Sequence, residues 1–202
     1  MADGDAIHAV WCQGGAIQYR RSDDAGKTWT HTVPLTTSGK AQYPCSLELA
    51  GTILHLIWTD SRNPGWELYY MRSTNGGKTW GKEVRLTAGI DMFRFGTAVS
   101  GTNVHIVWGS RSRLEKVPAG LSSWTWTWGD IDYLHPRAIF YMTSADGGLT
   151  WGTPERLTQP SEEVWETGAV VGTESWALVE MMKGSSLWYL RRDLLPRSSL
   201  PE

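Results

Sequence analysis

The 202-residue sequence predicts an all-β protein, a β-propeller of four-stranded antiparallel blades, on three observations. An eight-residue phrase occurs three times, as Ser22-Asp-Asp-Ala-Gly-Lys-Thr-Trp29, Ser73-Thr-Asn-Gly-Gly-Lys-Thr-Trp80 and Ser144-Ala-Asp-Gly-Gly-Leu-Thr-Trp151. Short apolar runs rich in Val, Ile, Tyr and Trp surround each copy and end at Gly, Asn or Pro clusters, which is the signature of strands. No helical apolar period extends over three turns, so helix content should be low. Internal repeats decide architecture before local propensity does, and four strands in about 50 residues make a propeller blade.

The elements follow in order within each unit. A run ending in Trp comes first, at His8-Ala-Val-Trp11, His55-Leu-Ile-Trp58 and His105-Ile-Val-Trp108. A run carrying Tyr follows, at Ile17-Gln-Tyr19, Leu68-Tyr-Tyr70 and Ile139-Phe-Tyr141, and leads into the phrase. A Leu-Thr pair comes after the phrase, at Leu35-Thr36, Leu86-Thr87 and Leu157-Thr158. A fainter fourth copy reads Trp176-Ala-Leu-Val179, then Leu187-Trp-Tyr189-Leu-Arg-Arg192, with no phrase after it. The second unit gives the template, with strands expected at 43–51, 52–59, 67–73 and 83–87. One domain is expected over 1–202, with units at about 1–37, 38–88, 89–159 (carrying an insertion at 113–137) and 160–202. The first unit shows no first strand and the fourth no fourth.

The phrase falls in the turn between third and fourth strands, and its chemistry suits a turn. Asp24, Asn75 and Asp146 can accept bonds from backbone N–H groups just ahead. Gly26, Gly77 and Gly148 supply positive φ, and the Trp is expected to fold back between neighbouring sheets as an apolar plug. Asn in the second copy fits hydrogen bonding better than a charge-dependent role. Each copy offers too few oxygen ligands for a calcium loop, so the role is structural.

Composition narrows the function classes. Hydrophobic content of 41%, charged content of 20% and a net charge of -2 describe an ordinary globular chain. No basic run points to nucleic acid, and no stretch approaches the ~18 apolar residues of a membrane helix. The N-terminal residues lack the basic start and apolar core of a signal peptide. Cys12 and Cys45 read as two small buried residues, with a single bridge as the alternative. His8, His55 and His105 hold one place in successive units and read as structural, not as metal ligands. No metal or cofactor is expected, and no nucleophile-elbow, P-loop or dinucleotide fingerprint occurs.

The phrase Ser-x-Asp-x-Gly-x-Thr-Trp, with Tyr-x-Arg-Ser ahead of it and Leu-Thr after it, resembles the Asp-box, or BNR repeat, of the sialidase superfamily. The resemblance covers residues 6–192. It implies a six-bladed propeller, and in that family the members include exo-sialidases, related glycoside-acting proteins and non-catalytic repeat proteins. Six blades of this size need roughly 300 residues, so about two thirds of a ring is expected here. Exposed strand edges then invite pairing, and a homo-oligomer or a partner chain completing the propeller is expected. Family members are commonly secreted, which is the expectation for localisation.

Antiparallel meanders send alternate turns to opposite ends. The phrase therefore shares one end with first-to-second turns, and the resemblance places the active site at the other. That end carries the 60–66 turn, the insertion and the links between units. Asp60, Arg62, Arg94, Arg111, Arg113, Asp130, Asp132, Tyr133, Glu163 and Glu166 fall there. The resemblance implies arginines clamping a sugar carboxylate, for which planar guanidinium suits Arg62, Arg94 and Arg111. It also implies a tyrosine nucleophile paired with Glu and an Asp acid/base, roles that position assigns to Tyr133, Glu166 and Asp132. The family's N-terminal Arg-Ile-Pro motif is absent. Within the insertion, Trp124, Trp126 and Trp128 alternate, which on an extended strand puts three indoles on one side, fit to stack on sugar rings or to pack on the propeller. The expected partner is a glycan or glycoconjugate. The expected function is glycoconjugate recognition, with exo-α-sialidase-type hydrolysis in a complete site; the alternative is a non-catalytic interaction or scaffold module.

Overall fold

The structure, a computed structural model, describes residues 1–63, 65–88, 91–111, 137–158, 164–172, 176–183 and 186–193. At 42–44, 91–93, 111, 137, 164–172, 176–183, 186, 188 and 192–193 it describes the backbone alone. Fifteen strands and no helix are found among these residues. The first sheet is β1 (Ala2–Asp3), β2 (Ala6–Gln13), β3 (Ala16–Ser22) and β4 (Val33–Pro34). The second is β5 (Ala41–Ala50), β6 (Ile53–Asp60), β7 (Glu67–Ser73) and β8 (Val84–Arg85). The third is β9 (Asp91–Ser100), β10 (Asn103–Arg111), β11 (Arg137–Ser144) and β12 (Glu155–Arg156). A three-stranded sheet of β13 (Val164–Gly172), β14 (Trp176–Lys183) and β15 (Ser186–Asp193) closes the order. All pairs are antiparallel between sequence neighbours, the meander expected from short turns.

The first sheet corrects one expectation. Its first strand exists: β1 pairs Ala2 with Ile7 and Asp3 with Ala6. Two residues without an apolar run fall below the length at which a strand is visible in a sequence.

The fourth strands are shorter than the Leu-Thr pairs had indicated, and one device ends all three. Leu35, Leu86 and Leu157 donate their N–H to the carbonyls of Ile17, Leu68 and Ile139. The next residue then stops the ladder: the hydroxyls of Thr36, Thr87 and Thr158 accept the N–H of the same Ile17, Leu68 and Ile139 at 2.9, 2.9 and 3.0 Å.

The core lies between sheets. Ile17 of β3 packs with Leu56 and Trp58 of β6 and with Tyr69 and Met71 of β7. Ile57, Leu68 and Tyr70 of the second sheet pack with Ile106, Trp108 and Met142 of the third. Val107, Ile139 and Tyr141 of the third sheet receive Leu190 of β15. The second and third sheets thus bury both faces, one on the sheet before and one on the sheet after, which is why their middle strands read as continuous apolar runs. Cys12 and Cys45 are free thiols at the first of these seams, hydrogen-bonded to one another, and burial pushes Cys12 up to about 11.

The bonds between turns fix the two ends. Ala25, Gly76 and Gly147 donate to the carbonyls of Asp5, Thr52 and Thr102, so each phrase sits beside a first-to-second turn. Ser61 donates to Lys40 and Ala41 to Gly15, so the second-to-third turns sit with the links between sheets at the opposite end.

Candidate functional site

The phrase builds a closed hydrogen-bonded turn. Ser22 donates its hydroxyl to Asp24 at 2.7 Å and accepts the Gly26 N–H at 2.8 Å. Asp24 in turn accepts the N–H and hydroxyl of Thr28, at 2.8 and 2.6 Å. Asp146 repeats these bonds with Ser144 and Thr150. Asn75 replaces one acceptor with a donor, its Nδ2 giving to Thr79 Oγ1 at 2.9 Å while its Oδ1 accepts the Thr79 N–H.

The bonds from Thr28 and Ser22 hold the Asp24 carboxyl down at about 2, so its contribution is present above the ordinary 3.8 and is lost as pH falls through about 2. Because Asn75 serves in the same turn, Asp24→Asn is expected to leave the thermal midpoint nearly unchanged at neutral pH. Asp24→Ala, which leaves the Thr28 N–H without its acceptor, lowers it. Calorimetry of the two variants checks the order.

The turns also lock sheet to sheet. Tyr19 meets Trp80 edge to face at 5.2 Å, and Tyr70 meets Trp151 at 5.0 Å. Arg21 donates to the Gly76 carbonyl at 3.2 Å and Arg72 to the Gly147 carbonyl at 2.8 Å. Each tyrosine hydroxyl is held from its own sheet by a histidine, through His8, His55 and His105 Nδ1 to Tyr19, Tyr70 and Tyr141 at 2.8, 2.8 and 2.7 Å. The repeated histidines thus position the tyrosine that grips the next sheet.

At the opposite end, the turn between β6 and β7 is braced by two fully buried carboxylates. Asp60 and Glu67 face each other in register. Asp60 accepts the Arg62 guanidinium at 2.6 Å and the Ser38 hydroxyl at 2.7 Å. Burial alone would raise the Asp60 carboxyl; the bonds from Arg62 and Ser38 outweigh it and hold the group below its usual value. Glu67 accepts Arg85 at 2.5 Å and Asn63 at 3.2 Å, and Asn63 also donates to the Tyr69 hydroxyl. Arg62 reaches Glu83 at 2.6 Å with its second nitrogen and lies 4.3 Å over the Tyr69 ring. The network fixes the turn and presents Trp66, which is 39% exposed, at its tip.

The inner strands change course at this same end. β5 loses register between Gln42 and Cys45, passing over Tyr43 and Pro44. β9 passes over Phe93 between Met92 and Arg94, and β13 passes over Trp165 between Val164 and Glu166. Three strands in three sheets therefore bulge at an aromatic residue near one rim. Deeper between β5 and β9, Glu48 accepts the hydroxyls of Ser46 and Thr97 at 3.1 and 2.7 Å, a polar bridge between inner strands.

Of the residues singled out from the sequence, Arg62 lies in the braced turn, engaged as described. Arg94 is exposed and stands opposite Gly109 on β9. Arg111 pairs with Asp91 and Arg137 at the end of β10, and Glu166 pairs with Met182 near the start of β13, all at this end. Trp124, Trp126, Trp128, Asp132 and Tyr133 lie outside the described residues. Asp60 was singled out from the sequence, but its buried partner Glu67 and the bulging of the three inner strands were not. One signal was available, an aromatic residue near the start of β5, β9 and β13.

No family model matches the sequence, and no curated protein matches it. Among solved structures, the chain is similar to an α-L-arabinofuranosidase from Lactobacillus brevis, with TM-score 0.53 and 14% identity over 98% of this chain and 68% of that one. The likeness is one of fold. A Trypanosoma rangeli sialidase in complex with sialic acid aligns with TM-score 0.45 and 13% identity over 80% of this chain, which spans 29% of that protein's length. The catalytic domain of a Coprinopsis cinerea α-L-arabinofuranosidase aligns at 0.43 and 11% over 91% of this chain and 64% of its own. The chain is all-β, with antiparallel four-stranded sheets and propeller-type relatives in fold.

Proposed function

We propose that this chain recognises a glycan at the end that carries the β6–β7 turn. The observation that supports the reading is the common bulge of the three inner strands, at Tyr43, Phe93 and Trp165. Bulges are concentrated beside binding sites, where they re-aim a side chain. Aromatic faces suit the C–H faces of a sugar ring, while Arg94 and the braced turn bring polar groups to the same rim. The finer reading is exo-α-sialidase-type hydrolysis, with Tyr133 as nucleophile, Glu166 as its partner, Asp132 as acid/base, Arg62, Arg94 and Arg111 on the sugar carboxylate, and the row of Trp124, Trp126 and Trp128 stacking on the sugar. The engagement of Arg62 by Asp60 and Glu83 favours the second reading, binding without turnover.

Two measurements divide these readings. Glycan-array binding with no turnover of fluorogenic sialoside or arabinofuranoside supports recognition alone; turnover lost in Tyr133→Phe supports the hydrolase; absence of both binding and turnover sinks the proposal. Trp66→Ala is expected to weaken glycan binding about tenfold, or ~1.4 kcal/mol. Its thermal midpoint should stay put because the side chain is half-exposed. Unchanged affinity would remove Trp66 from the site.

A further inference from the structure

The chain holds only two cysteines in 202 residues, and the fold brings them together. Cys12 lies on β2 of the first sheet and Cys45 on β5 of the second. Both are partly exposed free thiols packed against the cluster of Ile17, Leu56 and Trp58. Their side chains are hydrogen-bonded to each other across the seam.

The strand register shows that both positions depart from the repeat at once. Cys12 pairs with Ile17, as Thr59 pairs with Leu68 and Gly109 with Ile139. Cys45 pairs with Trp58, as Phe95 pairs with Trp108. The seam between the second and third sheets therefore holds Thr59 and Phe95 where the first seam holds two thiols. A threonine and a phenylalanine cannot bond covalently across a seam; two cysteines can.

Position gives such a bond a mechanical effect. At the end that carries the repeated turns, the first two sheets are gripped by Tyr19 against Trp80 and by Arg21 on the Gly76 carbonyl. At the opposite end, the Ala41 N–H donates to the Gly15 carbonyl, and the two thiols stand nearby. Cys45 resumes the ladder to β6 directly after the bulge at Tyr43 and Pro44. Cys12 stands one residue before Gln13, which ends β2. A crosslink here ties the bulge of one sheet to the turn of the other.

We propose that Cys12 and Cys45 are a site of reversible oxidation, closing as an inter-sheet disulfide by exchange with a low-molecular-weight disulfide. One protein thiolate attacks the small disulfide, forming a mixed disulfide and expelling one small thiolate. The second protein thiolate attacks the protein sulfur of that mixed disulfide and expels the other. The protein loses two electrons and two protons, and the small disulfide takes up both and leaves as two thiols. The new bond constrains the unfolded chain between the two positions, so it stabilises the seam. Burial pushes Cys12 up to about 11 and raises Cys45 as well, so closure is slow at neutral pH and faster in alkali.

Incubation of the full chain in mixtures of oxidised and reduced glutathione tests the proposal. The intact mass is expected to fall by two hydrogens, and a non-reducing digest should join the peptides carrying Cys12 and Cys45. The thermal midpoint should rise by about 5 °C and return when dithiothreitol is added. That comparison uses the parent alone and does not depend on a variant folding. Cys45→Ser should show no such rise and should keep glutathione on Cys12 as a mixed disulfide. Protein that stays reduced in every mixture, carries two glutathiones, or links one chain to another would overturn the proposal. So would a closed bond that lowers the midpoint.

Discussion

Gly148→Ala is expected to cost about 3 kcal/mol, whereas alanine at the adjacent Gly147 costs about 1. Both glycines have positive φ, +81° and +70°, so both substitutions carry the left-handed penalty. Only Gly148 has a side chain packed where its Cβ would go: the new carbon would lie 1.9 Å from the Tyr70 hydroxyl and 2.4 Å from the ring carbon bearing it. Tyr70 cannot yield freely, because His55 holds its hydroxyl and Trp151 its ring. The tyrosine must leave the seam or the Ser144–Trp151 turn must open. At ~2–4 °C per kcal/mol for a chain of this size, thermal melts should separate the two variants clearly. Equal losses would mean that the tyrosine grip does not join the sheets.

Acid should loosen the same joints between pH 6.5 and about 4. Burial lowers His55 from 6.5 to about 4, and burial also lowers His8. A depressed histidine favours the neutral form when folded, so its contribution is whole above 6.5 and is lost as pH falls through the folded value. For His55 alone the loss approaches ~3 kcal/mol near pH 4, since each pH unit crossed between the two values removes about 1.4 kcal/mol. Urea midpoints measured through this window should fall steadily in the parent. The fall should be smaller in His55→Gln, whose stability at neutral pH is already reduced by loss of the bond to Tyr70. A flat profile in the parent would show that the histidines are charged or solvated in the folded state.

The fold was legible because the repeat acts through backbone chemistry that residue types announce. Ser73, Asn75, Gly77 and Thr79 bond one another within one turn, so their spacing is the structure. The histidines of the apolar runs could be read as structural from their recurrence, but their partner, the tyrosine hydroxyl of the neighbouring strand, became visible only with the strand register. The candidate site was less legible for a physical reason. Asp60 and Glu67 look like surface charges in a polar turn, and their complete burial depends on Arg62, Arg85 and Ser38 arriving from three separate segments. The bulges at Tyr43, Phe93 and Trp165 are likewise properties of pairing, since an extra residue is defined only against the strand beside it.

The hydroxyls of Thr36, Thr87 and Thr158 have a consequence at the outer rim. A strand at the edge of a sheet usually advertises a row of free donors and acceptors to any passing chain. Here β4, β8 and β12 are two residues long, and the next donor of the strand inside each is already taken by a buried threonine. The circumference of the first three sheets is hemmed like cloth, leaving little backbone on which an amyloid-like stack could begin.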